Sequence, residues 1–533
     1  MKNKIYILLL FVLPVILLLT EINYKILKGQ YYLYDNYDGP YHYLMASLNL
    51  AQLIQPGFCH HPGIPAQIIG AIVIKFSYIF EGSNLDMVND VFKNPEVYLS
   101  KINFIFTLLT SAALFVLGYV TFKKTKSISA AIFLQFTPFA AEMIFYLMTS
   151  VIPEPVLICL FILFITVIIA YLNETSMSEK QNLIYALLFG FIFGLIISTK
   201  ISILVIAAVP FILLKSFKSK VIFLSSGIFT FICLIVIVNP DLTGMWKFLL
   251  QNITHSGKYG SGPANFIDTT KILPGLIKLI NTFPLFCISY LSVIVILIMQ
   301  FFPKFKSVIR SGIYFRLLAG NFLFMSSIIL IYLKQYEIYY LMPALMFSVI
   351  TLFAVNSIFM ILFPGVYKYN RYLYLYIIFI FFSVVQFNKY FNSVKFFSNR
   401  KQASFAVINY LKENYPDKIL ISCDRSSGLP TALYSGLIYA GSSKEKYLDI
   451  LENSYKNYIY FDKWSKEFIY LNFNEELKNK LLNSDDVIFH SFKDIDIQEF
   501  KTAFEKTMNK SNLNFEELFI NKNNEKLIRV SVR

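Results

Sequence analysis

Between residues 32 and 63 the chain gathers side chains able to move a proton or hold an anion. Asp35 and Asp38 stand in Tyr32-Leu33-Tyr34-Asp35-Asn36-Tyr37-Asp38-Gly39-Pro40-Tyr41-His42-Tyr43, just past an apolar run, 5–20, of membrane-crossing character. A carboxylate beside hydrocarbon is costly to keep ionised, which makes it a functional candidate by default. Within hydrogen-bond reach of a hydroxyl it can serve as a general base. The bland alternative for Asp38 is a position near the N-cap of an amphipathic helix expected over 41–53, accepting from backbone N–H groups. Asp35 is either its partner or a solvated loop residue. His60-His61-Pro62-Gly63 ends the same loop. Consecutive side chains rarely converge on one ion, and no Cys or carboxylate has matching spacing, so His61 fits a phosphate or hydroxyl contact, or a plain turn, better than a metal. No metal and no cofactor is expected.

Later candidates are spread along the chain. Ile152-Pro153-Glu154-Pro155 sets a carboxylate at a helix boundary, where it needs a cation; Lys200, Lys258 and Lys334 are the available partners. Lys200 could instead be a lysine whose stem lies in apolar surroundings while its head reaches water. The stretch Thr254-His255-Ser256-Gly257-Lys258-Tyr259-Gly260-Ser261-Gly262-Pro263 combines glycines, which allow close backbone approach, with donors for hydroxyls or phosphate. It matches no nucleotide-binding pattern and reads best as a loop gating a site. Tyr340, in Lys334-Gln335-Tyr336-Glu337-Ile338-Tyr339-Tyr340-Leu341-Met342-Pro343, is either a ligand contact or part of an interfacial aromatic belt.

The elements that position these residues are membrane helices. Hydrophobic residues make up 56% of the 533, charged residues 15%, and mean hydropathy is +0.57, values foreign to a water-soluble chain of this size. Eleven spans are expected: 5–20, 98–121, 128–148, 151–171, 183–198, 201–215, 221–239, 280–302, 314–333, 341–363 and 373–389. With the N-terminus inside, the inner loops carry 15 basic and 2 acidic residues and the outer loops to Asn392 carry 12 and 12, as the positive-inside rule requires. That bias explains the net charge of +15 without nucleic acid. The run 64–80 is read as an interfacial or re-entrant helix in a first outer loop, 21–97, because a span there would invert the next cluster, Lys123/Lys124/Lys126. All five histidines and every candidate above then fall on one side. From 393 to 533 the composition turns polar, and strands at 419–423, 458–461, 487–490 and 527–532 alternate with helices at 403–414 and 475–482, a small α/β or α+β domain outside the membrane. The five cysteines show no paired spacing; only Cys59 and Cys423 could meet in an oxidising compartment.

In their order these motifs resemble the GT-C superfamily of polyprenyl-phosphate-sugar-dependent transferases, above all glycosyltransferase family 39, with its protein O-mannosyltransferases and lipid A aminoarabinose transferases. The resemblance covers roughly residues 1–390. Asp38, Tyr41, Ala46 and His61-Pro62 stand where that family has an acidic pair, a Tyr/Ala-rich helix and a His-Pro motif. Glu154, Gly190/Gly194 with Ser198-Thr199-Lys200, and Tyr340-Leu341-Met342-Pro343 echo later features. Two departures stand out: the second acid of the pair is Gly39, and the family's Arg-Tyr or His-Tyr pair is Tyr339-Tyr340, with Lys334 left to supply the cation. Hydropathy and loop charge give a polytopic α-helical membrane protein of about eleven transmembrane helices, expected in the bacterial inner membrane, with an extracytoplasmic C-terminal domain that resembles no named family; the resemblance implies a GT-C-like fold for the membrane part. It further implies a donor of polyprenyl-phosphate-linked sugar, a lipid, glycan or protein acceptor, and inverting displacement with Asp38 as base. Asp35 and Glu154 assist in this reading, and His61, Lys200, His255, Lys258, Tyr259, Lys334 and Tyr340 bind substrate or phosphate.

Two other classes share the helix count. A transporter or lipid flippase places ionisable groups at mid-membrane on broken helices and often shows a twofold repeat; here the carboxylates lie in loops and no repeat is visible. A polymerase or ligase using a diphosphate-linked lipid would favour a large late outer loop over acids in the first one.

Overall fold

The computed structural model describes all residues except 1, 34–38, 58–62, 82–83, 175–176, 304, 306–311, 364–371, 424–425, 463–464, 470–473, 485, 493, 510–512 and 533. Among the described residues eight helices are long and apolar enough to cross a membrane, or nine if the bent pair Thr269–Thr282 and Pro284–Met299 is one span. The chain is a multi-pass helical membrane protein. The eight are Lys4–Lys28, Ile64–Glu81, Pro95–Thr125, Pro153–Leu172, Glu179–Thr199, Phe217–Val238, Ile313–Gln335 and Ile338–Leu362. In Pro153–Leu172 and Ile338–Leu362, 78% of the apolar window is buried by protein, against 22% in Phe217–Val238. The first two therefore form the centre of the bundle and the last faces outward, where lipid replaces protein as its apolar solvent.

The expected eleven spans are not reproduced one for one, and the differences have local causes. Where one span over 128–148 is expected, Ile128–Gln135 and Glu142–Met148 are separated by a 3-10 turn at Thr137-Pro138-Phe139. Pro138 lacks the N–H a continuous helix needs, and the buried Gln135 amide donates to Leu10 O and Leu114 O instead. The 201–215 arm is a 3-10 segment, Ile201–Ala207, followed by the short helix Ala208–Leu213. Segment 64–80 forms one straight 18-residue helix, apolar enough to span. The inner-loop cations Lys304, Lys306, Arg310, Lys368 and Arg371 lie outside the described residues.

After 392 the structure carries the small sheet domain, entered by a single helix, Leu373–Asn414, that runs unbroken through the change of composition. Six strands, β1 (Ile419–Cys423), β2 (Tyr458–Asp462), β3 (Glu467–Ile469), β4 (Asp486–Ser491), β5 (Leu513–Ile520) and β6 (Lys526–Val532), stand in the order β3-β2-β1-β4-β6-β5. β1 pairs in parallel with β2 and β4, and the remaining pairings are antiparallel. β3 and β5 were not anticipated; β3 is only three residues long and β5 mixes Glu516 and Glu517 into its run. One face packs Phe461, Phe489, Phe500 and Phe504, and the other receives Val407 of the long helix.

The sheet domain rests on the membrane body through Leu429–Leu437, which packs on Pro40–Ala51. Helix 40–51 is therefore buried nearly all round, where an amphipathic helix was expected. Polar ties cross the contact: His42 Nε2 to Ser435 Oγ at 3.1 Å, Asn49 Nδ2 to Ala440 O at 2.6 Å, and Tyr447 O–H to Asn49 Oδ1 at 2.7 Å. Gly57 meets Gly441 backbone to backbone; a Cβ on Gly57 would sit 2.3 Å from Gly441 N, so no larger residue fits.

Candidate functional site

Several helix termini converge at one end of the bundle, and the polar residues collect there. Pro153 and Pro343 open helices at positions where no backbone N–H is needed, setting Glu154 and Tyr340 at helix starts, while Glu179–Thr199 ends just before Lys200. Lys200 Nζ donates to Glu154 Oε1 at 2.7 Å, and both side chains are buried. The same ammonium lies 4.7 Å from the Tyr339 ring centre and 4.6 Å from that of Tyr340, a cation held against two aromatic rings. Of the three cations the sequence offered Glu154, burial and chain path select Lys200.

The glycine-bearing loop closes over this pair. Tyr259 O–H lies 2.8 Å from Tyr339 O–H, and Tyr259 N donates to Gln335 Oε1 at 2.8 Å. Gly257, Tyr259 and Gly260 all take positive φ, which wraps the loop tightly enough for these contacts. Lys334 does not face Glu154: its Nζ donates to His255 O at 2.7 Å and Phe266 O at 2.8 Å, pinning both ends of the loop. Lys258 pairs with Glu337 at 3.1 Å at the half-exposed rim, and the His255 ring turns outward to Thr254 Oγ1. A space of about 10 Å³ remains beside Glu154, Lys200, Tyr339 and Tyr340, room for about one water.

Asp35, Asp38, His60, His61 and Cys59 lie outside the described residues. Their flanks are placed. Gly63 N donates to Thr199 O at 3.0 Å, one residue from Lys200. Gly39 is the N-cap residue of helix 40–51. Glu96, unremarked in the sequence, accepts from Tyr31 N at 2.9 Å, Tyr32 N at 3.3 Å and Tyr41 O–H at 2.7 Å, so one carboxylate holds both flanks of 34–38. Its only signal was an acid after Pro95, which reads as ordinary helix-dipole compensation. Lys28, also missed, donates to Thr149 Oγ1 at 3.2 Å and Ser150 Oγ at 3.3 Å, tying the first helix to the turn before Glu154.

Gly190 and Gly194 serve packing. A Cβ on Gly190 would meet Phe223 O at 2.4 Å and one on Gly194 would meet Gly227 O at 2.6 Å, the close helix approach small residues permit in membranes. Beyond the site, Pro65, Ile69, Val156, Leu160, Leu195 and Leu234 help line an apolar groove of about 270 Å³. Val156 and Leu160 follow Glu154 on its own helix, and Leu195 precedes Lys200 by little more than a turn.

The arrangement is similar over the whole chain to ArnT from Cupriavidus metallidurans in the apo state, with a TM-score of 0.53, 11% identity, and coverage of 100% of this chain and 99% of that one. The fold is of the ArnT kind. A second structure of the same ArnT, bound to undecaprenyl phosphate, aligns at a TM-score of 0.46 with 12% identity over 97% of this chain and 98% of that one. No protein-family model and no curated protein matches the sequence.

Proposed function

We propose that the protein is a membrane glycosyltransferase that moves a sugar from a polyprenyl-phosphate donor to an acceptor hydroxyl at the outer face of the cytoplasmic membrane. The observation that carries this reading is the buried Lys200–Glu154 pair, with an apolar groove lined by Val156, Leu160 and Leu195 of the helices that carry it, within an ArnT-like fold. An ammonium has three N–H donors and Glu154 takes one. The others serve the donor's phosphate, and the groove takes the first isoprenoid units. The acceptor oxygen attacks the anomeric carbon, the bond to the phosphate oxygen breaks, and polyprenyl phosphate departs with the charge that Lys200 stabilises. Asp38 takes the acceptor's proton, with Asp35 or Glu154 assisting and His61 near the phosphate. Because the space at Lys200 is small, Tyr259 and Tyr339 must part for the phosphate to enter, with Lys258, His255 and Tyr340 lining the path. Residues 1–392 form the transferase domain in this reading, and 393–533 an extracytoplasmic domain beside it.

The test is mass spectrometry of lipids retained by the detergent-purified protein. Asp38→Asn is expected to hold a polyprenyl-phosphate sugar that the wild type has discharged, and Lys200→Met to hold none. If no form carries a polyprenyl lipid and Asp38→Asn still complements a deletion strain, the reading fails.

A further inference from the structure

The largest of the cavities described lies far from the Lys200 site, in the sheet domain. It is a cleft of about 510 Å³ between the end of helix 373–414, the end of Lys444–Ser454 and the N-terminal edge of β1 and β2. Among the described residues its lining contains Lys412, Lys418 and Lys456 and no carboxylate, although residues 393–533 as a whole carry 21 basic against 19 acidic residues. Glu413, Asp417 and Glu452 adjoin lining residues in sequence but do not line the cleft. Half-buried Tyr415 and Tyr455 form part of its wall, with Asn453 at the rim. Ammonium groups recognise carboxylate or phosphate. Tyrosine rings offer flat apolar faces with a hydroxyl at the edge, which suits a sugar ring, and amide groups pair with hydroxyls.

The position of the cleft separates a dissolved ligand from a lipid headgroup. Gly428, past the C-terminal end of β1, donates to Tyr32 O of the membrane body at 2.9 Å, and Pro430 beside it lines one wall of the cleft; Lys418 stands at the opposite, N-terminal end of β1. On helix 373–414, Lys401 reaches Ile26 O near the end of the first membrane helix. Lys412 lies eleven residues further on, about 16 Å at 1.5 Å per residue. The headgroup layer is only about 5–8 Å deep on each side.

We infer that this cleft binds an anionic saccharide, one carrying carboxylate or phosphate groups. On the transferase reading it holds a remote stretch of a polymeric acceptor; that clause rests on the reading above, whereas binding itself is measured without turnover. The experiment titrates the full-length, detergent-purified protein with hexagalacturonate, pentamannosyl phosphate and neutral maltohexaose by calorimetry at low salt. At least one anionic probe is expected to bind saturably, and whichever binds identifies carboxylate or phosphate as the recognised group. Binding should weaken about tenfold in Lys412→Glu/Lys456→Glu, two exposed positions whose replacement leaves the melting temperature unchanged, and less in Lys412→Ala/Lys456→Ala. Maltohexaose binding should not respond to either variant. Three results overturn the inference: no saturable binding of either anionic probe, equal binding by the charge-reversed variant, or displacement of the probe by phosphatidylglycerol nanodiscs whose own binding needs the same lysines.

Discussion

Two buried carboxylates, Glu154 in the membrane body and Glu525 in the sheet domain, show how the same group serves opposite ends. Glu525 accepts from Ser427 N at 2.8 Å and Asn521 Nδ2 at 2.7 Å, with Ser404 Oγ at 3.5 Å and the His490 imidazole Nε2 3.6 Å away. Burial pushes its carboxyl up, and the donors of His490 and Ser427 more than reverse this, holding it down at about 2. Among the described residues Glu154 has one hydrogen-bond partner, Lys200, whose other donors face aromatic rings and a small space. A carboxylate saturated with donors is a structural node. One that shares a single cation beside a groove keeps its partner available to a ligand.

Substitutions sharpen this contrast. Glu154→Gln/Lys200→Met, which leaves no buried charge unpaired, should lower transfer about a thousandfold, the scale of a lost donor to developing charge, and leave the melting temperature near wild type. Glu525→Ala should do the reverse, destabilising the sheet domain by about 3 kcal/mol because several buried donors lose their acceptor, with activity retained below the melting temperature. Melting curves and transfer assays on both variants check the pair; equal loss of activity in the two would erase the distinction.

Smaller effects probe the contact between the domains. His42 is buried against Ser435, and burial lowers its pKa to about 3. The unfolded chain therefore binds a proton below about pH 6.5 that the folded chain refuses, so stability falls as pH drops from 6.5 towards 3. By pH 5.5 the loss is about 1.4 kcal/mol, while Glu525, held low and with an unfolded value near 4.5, contributes nothing in that window. Thermal melts of wild type and His42→Asn between pH 7.5 and 5.5 should diverge, and parallel curves would rule His42 out. Tyr339→Phe keeps the ring over Lys200 and removes the hydroxyl contact to Tyr259. About 1 kcal/mol is expected from that single contact, read as a severalfold change in KM with kcat nearly constant.

The chain's own pattern carried much of this architecture. Apolar runs marked most membrane helices, since hydrocarbon demands them irrespective of neighbours, and four of six strands were legible from β-branched and aromatic runs. Failures cluster where a contact overrides local pattern: Pro138 with Gln135 splits one span, and Leu429–Leu437 buries the outer face of helix 40–51. Glu154, Lys200, Tyr259 and Lys334 were each visible as residues that burial makes expensive. Their pairing was not, because sequence separations of 46 between Glu154 and Lys200 and 80 between Tyr259 and Tyr339 leave no local trace.

Residue types and hydropathy by themselves determined that this chain crosses a membrane many times, carries a polar domain after residue 392, and offers a few ionisable groups at helix ends. Those are free energies of transfer, set residue by residue. Only the tertiary structure decided that Lys200 rather than Lys258 or Lys334 meets Glu154, that Lys334 pins a loop, and that Glu96 holds both flanks of the 34–38 stretch. Such choices depend on which groups lose water together, and that is a property of the packed molecule rather than of any segment.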